Sequence, residues 1–124
     1  MSRYAKIAAK LPAYGLDAML ITSSPNRLYA NEFASSAGAA VVTAEGSYFF
    51  VDSRYIEAAT NRITGGQVRL MDRDHPYADL VNEVIEKHGV KTMGYEESYI
   101  TVEEFNGWQA KLKCDLVPDR KSVV

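Results

Sequence analysis

At 124 residues the chain has room for one hydrophobic core and is too short for two. Hydrophobic residues make up 47% and charged residues 24%, close to the averages of soluble globular proteins. The net charge of -2 gives no electrostatic reason to expect nucleic acid or an anionic membrane as a partner, so neither is expected.

The N-terminus, Met1-Ser2-Arg3-Tyr4-Ala5-Lys6, carries charges where a signal peptide would place its apolar core. Tyr4, Ile7, Ala8 and Leu11 follow helical spacing, and Pro12 with Gly15 closes that helix. Ala18-Met19-Leu20-Ile21-Thr22 is a short apolar run that reads as a buried strand. Pro25, after Ser23-Ser24, suits the first turn of a short helix through Tyr29. Ala39 to Thr43 and Ser47 to Val51 are strand-like runs separated by Ala44-Glu45-Gly46, a hairpin-length gap in which Gly46 can take a positive φ. Asp52 or Ser53 can cap a helix carrying Tyr55, Ile56 and Ala59.

Gln67 to Met71 reads as a strand. Pro76 opens a helix with Leu80, Val81, Val84 and Ile85 on one face, and Gly89 ends it. Thr92 to Tyr95 is a strand. Thr101-Val102-Glu103-Glu104 has the capping-box pattern, and Phe105, Trp108 and Leu112 give the helix it opens a buried face with Trp108 as its anchor. Cys114 to Val117 is the final strand. Helix and strand thus alternate around one hairpin, which favours an α/β sandwich: a mixed, mainly parallel sheet with an antiparallel pair near its start, flanked by helices. No apolar run approaches the roughly 18 residues that span a bilayer. The single cysteine cannot form an internal disulfide, and a reducing, cytoplasmic setting is expected.

Catalytic constellations come up short. His75 and His88 are the only histidines, and neither is spaced with a second His or Cys as metal ligands are. Asp72-Arg73-Asp74-His75 gathers hard donors but reads as a solvated loop. Cys114 reads as a small buried core residue rather than a nucleophile. Glu96-Glu97 follows a strand end, where α/β sheets place ligands, yet adjacent residues on an extended chain point to opposite faces, so the pair reads as surface loop. Gly38, within a run of small residues, reads as a close-packing position, since no phosphate-binding glycine pattern surrounds it.

Two segments add a resemblance. Gly15-Leu16-Asp17-Ala18-Met19-Leu20-Ile21-Thr22-Ser23, continued by Pro25-Asn26-Arg27-Leu28-Tyr29 through Phe33 to Ser36-Ala37-Gly38, resembles the N-terminal domains of the creatinase/prolidase/Xaa-Pro aminopeptidase family. Gly46-Ser47-Tyr48-Phe49-Phe50-Val51-Asp52-Ser53-Arg54-Tyr55 resembles that family's strand followed by D-S-R-Y, and Gly94-Tyr95-Glu96 its G-x-E strand end. The chain departs from the common N-I-R-Y-L-T-G-F, with Arg27 displaced by one position and Glu32 replacing a glycine.

The resemblance implies a ribonuclease H-like motif over residues 1–118, with 119–124 beginning a linker to a C-terminal catalytic domain absent from this chain. It implies a non-catalytic domain of a metal-dependent Xaa-Pro aminopeptidase or dipeptidase, one that shapes substrate access and dimerisation. Two divalent metal ions, manganese or cobalt, and proline-containing peptides would be bound by the absent domain. A homodimer through this domain is implied, with Arg54 and Tyr55 near the substrate of the neighbouring subunit. No catalytic residue or metal ligand is expected in this chain. A stand-alone binding or dimerisation module, and the N-terminal domain of a creatinase-like amidinohydrolase, are the alternatives.

Overall fold

The structure, a computed structural model, describes residues 3–22, 38–62, 66–96 and 100–118; the short helix expected from Pro25 to Tyr29 lies outside them. Helix α1 (Arg3–Lys10) runs into a single 3-10 turn (Leu11–Tyr14), then strand β1 (Ala18–Ile21). Strands β2 (Ala39–Thr43) and β3 (Ser47–Val51) follow, then α2 (Ile56–Arg62) and β4 (Gln67–Leu70). The chain continues through α3 (Tyr77–His88), β5 (Thr92–Tyr95), α4 (Val102–Lys111) and β6 (Asp115–Pro118).

The strands form one sheet in the order β4-β3-β2-β1-β5-β6. Strand β2 is antiparallel to both of its neighbours, and every other pairing is parallel. The sheet is therefore mixed and mainly parallel, as the alternation of elements predicts. Both of its faces are covered, which is why β1, β2 and β3 are continuous buried runs rather than alternating ones. On one face, Met19, Ile21, Val42, Phe49 and Val51 pack beneath Ile7 of α1, Leu11 of the 3-10 turn and Ala59 of α2. On the other, Leu20, Val41, Tyr48, Phe50 and Met93 pack beneath Leu80, Val81, Val84 and Ile85 of α3. Each such large apolar side chain contributes about 1.5–3 kcal/mol on burial.

Local signals account for most boundaries. Gly15 and Gly89 close their helices at φ 70 and 64, a conformation that a Cβ disfavours. Thr101 accepts from the Glu104 amide at 3.0 Å while the Glu104 carboxylate accepts from the Thr101 amide at 3.3 Å, completing the capping box. Gly38 is a close-packing position: a Cβ there would meet Phe49 and the Phe50 carbonyl at 3.1 Å.

Four details differ from expectation. Gly46 has no positive φ. Instead the Thr43 hydroxyl closes the β2–β3 turn, accepting from the Gly46 amide at 2.9 Å and donating to the Gly46 carbonyl at 2.6 Å. The Asp52 carboxylate caps a turn one step before α2, accepting from the Arg54 amide at 3.0 Å, so the helix starts at Ile56. β6 begins at Asp115, leaving Cys114 half-buried ahead of it. Finally, α4 buries none of its residues. Phe105 and Trp108 are only half-covered, and Leu112, just past the helix, is the buried residue of that trio.

Candidate functional site

The five co-directional strands bring their carboxyl ends to one edge of the sheet. After β1 the chain moves outward to β2, β3 and β4, then crosses back to add β5 and β6 on the other side. The seam between β1 and β5 is thus the topological switch point, where such sheets open a crevice. The two strands pair through only Ala18↔Met93 and Met19↔Gly94. A Cβ on Gly94 would come within 2.8 Å of the ends of the Leu16 and Met19 side chains, so both would have to give way.

A carboxylate stands at each end of this seam. At the carboxyl end, Glu96 is 5% exposed and its Oε1 accepts from the Thr22 amide at 2.5 Å. The Glu96 carbonyl accepts from the Ile100 amide at 3.1 Å as the chain turns toward α4. At the other end, Asp17 Oδ2 accepts from the amides of Lys91 and Thr92 at 3.0 and 3.1 Å. This corrects the surface-loop assignment of Glu96, whose partner Glu97 lies outside the described residues. Alternation along the chain could not reveal that the Glu96 side chain turns to the Thr22 amide, just past the end of β1. The signal that could have found it is the strand end Gly94-Tyr95-Glu96 beside a strand as buried as β1.

Arg54 and Tyr55 lie at the same edge, in the turn after β3. The Arg54 guanidinium holds the Asp52 carboxylate through Nη2 at 2.7 Å and Nε at 3.2 Å to both oxygens. That hydrogen-bonded pair keeps the Asp52 carboxyl below the usual carboxylate range and raises the Arg54 pKa. Arg54 remains 63% exposed, with its guanidinium carbon 5.2 Å from the centre of the Tyr55 ring. The half-buried Tyr55 packs against the core beneath α2. The structure therefore brings Arg54 and Tyr55 together, but not with Glu96. Three strand spacings, roughly 14 Å, separate the ends of β3 and β5.

The remaining candidates are apart. His75 and Asp72 form an exposed turn, with His75 Nδ1 3.0 Å from Asp72 Oδ1, and this contact lowers the Asp72 pKa. At the opposite edge, the Tyr48 hydroxyl lies 2.7 Å from His88 Nε2 and Glu45 lies 3.5 Å from His88 Nδ1. Sequence spacing does not show that cluster, because β3, the β2–β3 turn and the end of α3 meet only in the fold. Burial, with Asp115 and Asp17 nearby, pushes the Cys114 thiol up to about 11, which suppresses the nucleophilic thiolate. Among the described residues, no group of three His, Cys, Asp or Glu side chains could hold a metal ion.

Residues 3–121 match the model of the Creatinase/Prolidase N-terminal domain. The chain is 31% identical over 110 residues to the uncharacterized peptidase YqhT of Bacillus subtilis, covering 88% of this chain and 31% of that protein. The N-terminal domain of the cytoplasmic peptidase PepQ from Mycobacterium tuberculosis H37Rv superposes with a TM-score of 0.82 at 27% identity, covering 98% of this chain and 95% of that one. The Xaa-Pro dipeptidase from Bacillus anthracis shares the fold, with a TM-score of 0.86 at 20% identity over 94% of this chain and 32% of that one. The chain spans less than a third of the length of the curated relatives it matches. It belongs to the creatinase/prolidase N-terminal domain family.

Proposed function

We propose that this chain is the accessory, non-catalytic domain of a metal-dependent Xaa-Pro aminopeptidase or dipeptidase, shaping substrate access and contributing to a homodimer. The observation that carries this reading is the family match across residues 3–121, supported by relatives named as peptidases. The two divalent ions, manganese or cobalt, that such a hydrolase would use have no donor set among the described residues. Asp72 and His75 supply two donors already engaged with each other on an exposed turn. On this reading the ions and the hydrolytic step belong to a catalytic domain beyond a linker that begins at residues 119–124. No described helix is long and apolar enough to cross a membrane.

Within this reading, Arg54 and Tyr55 face the substrate across the subunit boundary. Arg54 already grips a carboxylate in a forked geometry, and the same fork suits the C-terminal carboxylate of a peptide. The Asp52 contact leaves the Nη1 donors outside that pair.

Two measurements test the proposal. The purified chain, given manganese or cobalt, is expected to hydrolyse neither an Xaa-Pro dipeptide nor a longer Xaa-Pro peptide. Turnover that follows the purified chain overturns the non-catalytic reading. In the complete protein carrying a catalytic half, Arg54→Ala is expected to raise KM or lower kcat by about tenfold or more, the worth of a charge-assisted hydrogen bond. An intact dimer with unchanged kinetics and a lowered Tm assigns Arg54 a purely structural part.

A further inference from the structure

The turn that carries Arg54 is fixed at both ends. Upstream, the Val51 carbonyl accepts from the Met71 amide at 2.7 Å, which ties the end of β3 to the chain leaving β4. Downstream, the Tyr55 amide donates to the Asp52 carbonyl at 3.1 Å, and the Tyr55 carbonyl accepts from the Ala59 amide of α2 at 2.8 Å. Between these anchors one side chain fixes the backbone and the side chain of Arg54 together. Asp52 Oδ1 accepts from the Arg54 amide at 3.0 Å and from Arg54 Nε at 3.2 Å. Its Oδ2 accepts from Nε at 3.2 Å and from Nη2 at 2.7 Å.

These contacts exceed what stability asks of the turn. An exposed ion pair contributes little to folding, and a capping side chain needs a single oxygen. The surplus serves orientation. Asp52 takes the side of the guanidinium formed by Nε and Nη2, and the guanidinium is a rigid planar fork. The end formed by Nη1 and Nη2 is therefore aimed away from Asp52. The Tyr55 ring, its centre 5.2 Å from the guanidinium carbon, supports one face of the fork. Exposure divides the roles, since the Asp52 side chain is 20% exposed and that of Arg54 63%. The acid is the anchor and the guanidinium is the outward-facing group. An arginine held side-on by one carboxylate keeps its end-on donors for a second, and their direction is set before that second carboxylate arrives.

We propose that Asp52 is a positioning residue: it holds Arg54 side-on so that the Nη1–Nη2 end of the guanidinium receives the carboxylate of a bound substrate. Asp52 touches no substrate and acts through Arg54 alone. It has this part only if Arg54 faces substrate, as proposed for the complete protein, and the two cases are separable by experiment.

In the isolated chain, the Arg54 Nε–Hε resonance, identified by its absence from Arg54→Lys, is expected to exchange with water more slowly than that of free arginine. Asp52→Asn is expected to remove this protection. Asn keeps an oxygen for the Arg54 amide, so the variant is expected to melt close to the native chain. In the complete protein carrying a catalytic half, Asp52→Asn is expected to raise KM for an Xaa-Pro dipeptide by about tenfold, with kcat nearly unchanged. The corresponding dipeptide amide, which lacks the carboxylate, is expected to show no such rise. Adding Asp52→Asn to Arg54→Ala is expected to change KM by less than about twofold, because nothing is left to position. The proposal is overturned if the Arg54 Nε–Hε proton exchanges freely in the native chain. It is equally overturned if Asp52→Asn lowers Tm and leaves KM alone, or if the losses of the two variants add. If Arg54→Ala itself leaves the kinetics unchanged, the substrate-facing part of Arg54 falls and the part of Asp52 falls with it. If Arg54→Ala raises KM and Asp52→Asn does not, only the part of Asp52 falls.

Discussion

Helices α3 and α4 lie on the same side of the sheet and carry similar apolar spacing, yet they are buried to different extents. α3 buries Leu80, Val81, Val84 and Ile85, whereas α4 buries nothing. The cause is their place in the topology. α3 crosses back over the middle of the sheet, where residues of β1, β2, β3 and β5 rise to meet it. α4 connects the last two strands at the border, so half of its apolar side overhangs the groove beside α3. Periodicity reports which side of a helix is apolar. The neighbour beneath it decides how much of that side leaves water.

The contrast makes sharp predictions. Ile85→Ala is expected to cost about 2–5 kcal/mol, because it opens a cavity in a closed part of the core. Trp108→Ala, a larger truncation on paper, is expected to cost only about 1–2 kcal/mol, because the half-exposed ring gains less from folding. Denaturant midpoints with unchanged m-values measure both. Equal losses would mean that α4 is a core helix after all. Thr101→Ala removes the cap of the less buried helix and is expected to cost about 1 kcal/mol, with faster amide exchange confined to the first turn of α4. Uniformly faster exchange would instead join α4 to the cooperative core.

The smallest effect concerns Cys114, which lies between α4 and β6 and packs against the α3 side of the core. Its thiol is pushed up to about 11, first by burial, so the neutral form persists through the ordinary pH range. Native labelling is expected to be slow and to rise about tenfold per pH unit toward that value, since only the thiolate reacts. Denaturation is expected to abolish this lag. Rapid stoichiometric labelling of folded protein at neutral pH would mean that the border is open to solvent.

Much of the fold could be read directly, and the reasons are specific. β2, β3 and β5 match the expected runs residue for residue because each is a β-rich apolar stretch bounded by turn residues or charges. The capping box and Gly89 were equally legible, since caps are local. What escaped depended on partners distant in sequence. Gly46 was expected to supply the turn, but the Thr43 side chain closes it. Trp108 was expected beneath a helix, but the sheet ends before covering it. Of the site, Arg54 beside Tyr55 was legible as a strand-end pair, whereas the grip of Arg54 on Asp52 shows only in the fold. Glu96 was hidden because its partner, the Thr22 amide, is 74 positions away.

That separation bears on how the chain folds. β1, β2 and β3 join through sequence-near pairings, so their meander can form while most of the molecule is still open. The β1–β5 seam must instead close loops of 74 and 75 residues at Asp17 and Glu96, an entropy cost met before any contact there repays it. The two carboxylates thus act as latches that engage late, after the hairpin has set the position of β1. Weakening either latch should leave the refolding rate nearly unchanged and shorten the lifetime of the native state. Because only two residue pairs register along the seam, it is also where the sheet would first part into a four-stranded and a two-stranded piece.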